Sequence, residues 1–232
     1  MGSTAERGGA AELAAAIDHT LLAPTATAAD VERLCDEARA HGFASVCVNG
    51  VHVARCRARL AGSAVRVACV VGFPLGADAP GAKRRAAEIA LADGAEELDV
   101  VLQLGALRAG DHALVEHDLA GVVAAARAAG GLVKAILETG LLDAEETRRA
   151  CRIAEASGAS FVKTSTGFGP RGATRADVLL LRQCVGLRLG VKASGGIKSA
   201  ALARELLAAG ATRLGTSASL AILREALQDE PG

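Results

Sequence analysis

The sequence predicts an α/β fold, a single-domain (β/α)8 barrel, on three observations. Eight short apolar runs alternate with helical segments along the 232 residues. Most of the runs are continuously apolar rather than alternating, the mark of parallel strands covered on both faces. One local grammar also repeats, in which an amphipathic helix ends in a small residue and a glycine before a β-branched run, as in "ALADGAEELDVV", "AEASGASFVKT" and "LLAAGATRLGT". Strands alternating with helices imply right-handed βαβ units. Eight units in somewhat over 200 residues match the compact end of the closed barrel. An open doubly wound sheet is the rival, disfavoured because no G-x-G-x-x-G follows the first strand.

In chain order the strands centre on Ile17, Val46, Val67–Val71, Leu98–Val101, Val133–Leu137, Phe161–Lys163, Gly190–Ala193 and Arg213–Leu214. Gly42, Gly94, Gly130, Gly158 and Gly210 sit where helices stop in the left-handed conformation, which glycine adopts without a Cβ clash. Thr27 with Asp30, and Thr174 with Asp177, have capping-box spacing and mark helix starts. The expected organisation is a flexible tail over 1–10, one domain over 11–228 and a C-terminal tail over 229–232.

Composition narrows the function. Lysine plus arginine balances aspartate plus glutamate at 26 each, and tryptophan and tyrosine are absent. Neither a basic footprint nor a stacking platform for nucleic acid is present. No apolar run reaches the length of a bilayer span, and the N-terminus "MGSTAERGGA" lacks an apolar signal region. Six cysteines without a C-x-x-C pair read as reduced packing residues of a cytoplasmic protein, Cys47 included. The five histidines lack metal-ligand spacing, so no metal is expected.

In such a barrel the C-terminal strand ends face the active site. The first strand ends in Asp18-His19-Thr20, the fourth carries Asp99, the fifth starts with Lys134 and reaches Glu138, the sixth ends in Lys163-Thr164-Ser165 and the seventh in Lys192. The chain holds five lysines against 21 arginines, yet three of the five fall in barrel strands. Arginine would serve a purely electrostatic purpose, but it does not release its proton near neutral pH, whereas a desolvated lysine does. A free amine attacks a carbonyl carbon, so paired amines in a barrel mouth point to Schiff-base chemistry. Neighbouring positive charges disfavour each other, so one amine should titrate low. The bland reading is a phosphate or carboxylate partner.

A second constellation is "ASGGIKS" and "RLGTSAS", after strands seven and eight. With Gly195, Gly196, Gly215 and Ser217, and with Gly167 from the loop after strand six, it reads as a phosphate cradle at helix starts. Asp18 and Thr20 are candidates for a polar substrate contact or a structural hydrogen bond. Asp18 and His19 are adjacent on a strand and point to opposite sides, which argues against a catalytic relay. Glu138 is left between bonding a lysine and belonging to its loop.

The segments "IDHTLLAPTAT", "ASVCVNGVHV", "VVGFPLGA", "GAEELDVVLQLGAL", "KAILETGLL", "FVKTSTGFG", "VKASGGIK" and "RLGTS" together resemble the deoxyribose-phosphate aldolase family, class I enzymes that form a lysine imine. The resemblance spans nearly the whole chain. It implies reversible cleavage of 2-deoxy-D-ribose 5-phosphate to acetaldehyde and D-glyceraldehyde 3-phosphate, without a cofactor. It implies that Lys163 forms the imine, that Lys192 and Asp99 serve proton transfer, and that Lys134 supplies a further charge in the substrate set. It implies that Gly195, Gly196, Gly215 and Ser217 hold the phosphate. Gln103 stands where asparagine is common in the family and Ala218 where a second serine is frequent; the C-terminal tyrosine of some members has no counterpart here. The expected partners are the phosphosugar, acetaldehyde and further copies of the chain as a homodimer or higher homo-oligomer. The rival functions are another phosphosugar lyase or isomerase on the same barrel, and a non-catalytic phosphosugar-binding protein.

Overall fold

The computed structural model describes residues 4–228. Helix α1 (Thr4–Ala15) precedes the first strand and begins inside the stretch 1–10 expected as a tail; the tail expected at 229–232 lies outside the described residues. Strands β1 (Ile17–Leu21), β2 (Ser45–Val48), β3 (Arg66–Val71) and β4 (Glu97–Val101) alternate with α2 (Ala28–His41), α3 (Val53–Arg59) and α4 (Pro80–Ala92). Two helices, α5 (Leu104–Ala109) and α6 (His112–Ala128), lead to β5 (Leu132–Ile136). Then come α7 (Ala144–Ala156), β6 (Phe161–Lys163), α8 (Arg175–Val185), β7 (Gly190–Ser194), α9 (Ala200–Ala208), β8 (Arg213–Thr216) and α10 (Ser219–Gln228). All eight strands pair in parallel and close in sequence order, β8 returning to β1. The open-sheet rival is excluded.

The helix signals read from sequence occur where they were placed. Thr27 and Thr174 accept from the amides of Asp30 and Asp177 and receive the reciprocal carboxylate contact. The five helix-terminal glycines all have φ between 66° and 112°. None of the helices among the described residues is long and apolar enough to cross a membrane.

The main apolar core lies between the strands and the surrounding helices, where alternate residues such as Val46, Leu98, Val100, Val162 and Leu214 are buried. Inside the barrel the opposite parity prevails. There the inward residues include Asp18, Glu97, Asp99, Lys134, Lys163, Lys192 and Arg213, beside apolar residues such as Cys47, Ala68, Val70 and Ile136. A strand's period of two thus sorts apolar side chains outward to the helices and charges inward. A barrel interior of this kind is ordinarily filled with branched apolar residues. Holding charges there demands pairing.

One buried ion pair lies outside the barrel. Lys83 on α4 donates to the Val101 carbonyl at 2.9 Å and to Asp118 on α6 at 2.5 Å. Both side chains are almost fully enclosed, and a Cβ on Gly72 would stand 2.7 Å from Lys83 Cε. The pair ties two helices to the end of β4. Lys83→Met leaves Asp118 buried without its cation and is expected to lower unfolding free energy by about 3 kcal/mol, read as a reduced urea midpoint with an unchanged m-value.

Candidate active site

Register places the key side chains. Lys163 pairs with Lys192 across β6 and β7, and Asp99 pairs with Lys134 across β4 and β5. The two amines of the first pair therefore stand side by side. Asp99 bridges them: its Oδ2 lies 2.7 Å from Lys163 Nζ and 2.7 Å from Lys192 Nζ. Its Oδ1 accepts from Lys134 at 2.9 Å. Asp18 Oδ2 accepts from Lys134 at 3.1 Å and pairs with Lys192 at 2.5 Å, and its Oδ1 accepts from Arg213 at 2.9 Å. Glu97 completes the network, 2.6 Å from Lys134 and 2.7 Å from Arg213.

The electrostatics separate the amines. Burial lowers the Lys163 amine below its usual range, Asp99 opposes that, and the charge of Lys192 adds to it; the net direction is down. Burial acts on Lys192 too, but Asp18 and Asp99 outweigh it and hold the amine above its usual range. Lys134 is buried as well and is held well above its usual range by Asp18, Asp99 and Glu97. Asp99 is pushed up by burial, yet three surrounding amines bring it well below the ordinary carboxylate range. The low-titrating amine expected from sequence is thus Lys163. Dehydration has a larger share in this than the neighbouring charge on which the expectation rested.

A cavity of about 550 Å3 opens over the C-terminal strand ends. Lys163 forms part of its floor, and Thr20, Gly167, Gly195, Gly196, Gly215 and Ser217 line its walls. Asp99, Lys192, Asp18 and Lys134 do not line it. Of the two roles open to Asp18, the structural one is formed here, and Lys134, placed among the substrate residues, is like Asp18 fully enclosed and bound to ionic partners. Thr20 lines the wall while its hydroxyl donates to the Asp18 carbonyl at 2.9 Å. Asp99 reaches both amines directly from below.

The cradle is built by close backbone approach. A Cβ at Gly172 would stand 2.1 Å from the Gly195 carbonyl oxygen, so the loops after β6 and β7 touch only because both are glycine there. At Gly215 a Cβ would come within 2.3 Å of Ser194 Oγ and 2.9 Å of Lys192 Cε, directly over the buried amine. Ser217 precedes the first turn of α10, where the helix's positive end favours an anion. Glu138 bonds no lysine. Its carboxylate accepts from the Thr166 amide at 3.1 Å and from the Thr166 hydroxyl, bracing the loop that carries Gly167.

Four participants escaped the sequence reading. Lys198 lines the cavity and adds a cation to the cradle, although it stands in the quoted "GGIK". Phe168 lines the cavity and meets Phe73 edge-on at 5.3 Å, joining the loops after β6 and β3 across the mouth. Glu97 and Arg213 close the ionic network from the strand starts. Cys47 lies 4.0 Å from Asp99, and burial followed by the Asp99 charge raises its thiol, which fits the packing role expected of it.

A parallel barrel with a dehydrated amine in the floor of a glycine-walled cavity defines the class: an aldolase of the (β/α)8 type. The chain belongs to the DeoC/LacD family of aldolases, whose family model matches residues 13–229. It is 48% identical over 219 residues to deoxyribose-phosphate aldolase 1 of Bacillus licheniformis, covering 94% of this chain and 98% of the relative. It is 50% identical over 213 residues to the deoxyribose-phosphate aldolase of Bdellovibrio bacteriovorus, covering 92% of this chain and 96% of that one. Among solved structures, the tetrameric deoxyribose phosphate aldolase of Aeropyrum pernix superposes with a TM-score of 0.88 at 36% identity, covering 94% of this chain and 92% of that chain.

Proposed function

We propose that the protein cleaves 2-deoxy-D-ribose 5-phosphate reversibly to acetaldehyde and D-glyceraldehyde 3-phosphate through an imine on Lys163. The observation that carries the reading is that Lys163 alone of the three barrel amines both lines the cavity and titrates low. Identity near one half to enzymes named for this substrate supports it.

In the cleavage direction the neutral Lys163 amine attacks C1 of the open-chain aldehyde. Loss of water leaves an iminium, which draws electrons from the breaking C2–C3 bond as the C3 hydroxyl gives up its proton. Glyceraldehyde 3-phosphate departs, the remaining enamine takes a proton at its terminal carbon, and water releases acetaldehyde. Asp99, in direct contact with the reacting amine, and Lys192, bound to the same carboxylate oxygen, are the groups placed to move protons. The phosphate, held at Gly167, Gly195, Gly196, Gly215 and Ser217 with Lys198 beside them, fixes the distance from anchor to reacting carbon. We further take the chain to form a homo-oligomer, as its tetrameric relative does. Its unpaired cysteines fit a cytoplasmic setting.

Borohydride added with acetaldehyde is expected to fix an ethyl group on Lys163, located by peptide mapping. Modification of Lys192 in its place would reverse the assignment.

A further inference from the structure

The barrel interior holds unequal charge. Three carboxylates, Asp18, Glu97 and Asp99, meet four cations, Lys134, Lys163, Lys192 and Arg213. With every amine protonated the enclosed network has one surplus positive charge, and with Lys163 neutral it has none. Net charge in a low-dielectric interior is costly, so the sharing of carboxylates decides which cation is in surplus.

Arg213 governs that sharing. Its guanidinium, which keeps its proton at any working pH, donates to both oxygens of Glu97 at 2.7 and 2.8 Å and to Asp18 Oδ1 at 2.9 Å. The other Asp18 oxygen serves both Lys134 and Lys192. Those two amines therefore draw on Asp99 as well, at 2.9 and 2.7 Å. Lys163 pairs with Asp99 Oδ2, the oxygen that Lys192 also takes.

We propose that Arg213, which does not touch the cavity, is a positioning residue that keeps Lys163 short of a counterion and so sets the pH range in which the enzyme works. The inference rests on the reading of Lys163 as the imine-forming amine. Facing this amine are Cys47 from β2, Asp99 from β4 and Lys192 from β7. Asp18 from β1, Glu97 from β4, Lys134 from β5 and Arg213 from β8 act on it through the ionic network that shares Asp99 and Lys192. Strand β3 contributes Ala68 and Val70 inward, and its Arg66 reaches Glu97 at 3.4 Å from a half-exposed position where water screens it. Glu138, past β5, spends its carboxylate on Thr166.

The test uses Arg213→Gln, Glu97→Gln and the double variant. Two profiles are recorded for each: kcat/KM for deoxyribose 5-phosphate against pH, and acylation of Lys163 by acetic anhydride against pH, read by peptide mapping. In Arg213→Gln, Asp18 and Glu97 pass to Lys134 and Lys192, Asp99 is released to Lys163, and both profiles should move about one pH unit alkaline. Glu97→Gln adds a second surplus positive charge and should move them about one unit acid. The double variant restores the original surplus and should return them close to the parent. Profiles that stay in place in both single variants, or move the same way in both, overturn the inference, because a merely structural role lowers rates without opposite shifts. If Arg213→Gln does not fold, an unshifted Glu97→Gln profile overturns the inference just as well, and an acid shift that the double variant reverses sustains it. Opposite shifts in acylation, together with no acetaldehyde adduct on the parent enzyme, would sink the imine reading and leave the electrostatic one standing.

Discussion

Lys163→Arg is expected to reduce turnover by about 10^4-fold or more, the scale of losing a covalent nucleophile. The substitution preserves a cation opposite Asp99 and removes only the capacity to become neutral, since guanidinium does not deprotonate in this range. Lys163 borders a cavity of about 550 Å3, so the longer side chain has space into which to extend. A loss of activity then reports chemistry rather than packing. Release of acetaldehyde, followed by a coupled reductase assay, gives the rate. Far-UV dichroism and calorimetry give the fold, because the chain has neither tryptophan nor tyrosine to follow by fluorescence. Residual activity above about one per cent of the parent would place the nucleophile on another amine, with Lys192 the first to map.

The sequence showed which side chains face inward but not how deep each lies. Parity along a strand follows from the pleat, so the inward set of Asp18, Asp99, Lys134, Lys163 and Lys192 was legible from spacing alone. Depth depends on strand tilt and on the register between neighbours, which no single strand encodes. Hence Lys134 read as a substrate residue and Asp18 stayed open between a substrate contact and a structural bond, although neither lines the cavity and they are bonded to Lys192, Arg213 and Glu97. Arg213 and Glu97 were missed for a related reason: a charge at the start of a strand reads as a solvated end, and only closure of the barrel lets the Arg213 side chain of β8 reach the Glu97 side chain of β4 at 2.7 Å. The glycine cradle was legible because its members are small residues at consecutive loops. Lys198 and Phe168 stand in the same loops, where no periodicity indicates which way a side chain turns.

Asp99→Asn separates two roles that coincide in the native enzyme. The carboxylate is the shared counterion of Lys134, Lys163 and Lys192, and it is also the group we propose as acid/base to Lys163, which it contacts. Removing its charge leaves Asp18 and Glu97 against four cations, so Lys163 should be neutral over a wider range than before. The variant is expected to lose about 3 kcal/mol of stability, as when one partner of a buried ion network is deleted. Imine formation should nevertheless persist, and borohydride should still capture acetaldehyde on Lys163 at neutral pH. Proton transfer is what should fail. Exchange of the acetaldehyde methyl protons with deuterated solvent, which requires the enamine, is expected to slow by about 10^2- to 10^4-fold. Exchange at the parent rate would show that Asp99 acts only as a counterion and that protons travel by another group. Loss of capture together with loss of exchange would show that the carboxylate is needed before the imine forms, a step earlier than its position between the two amines implies.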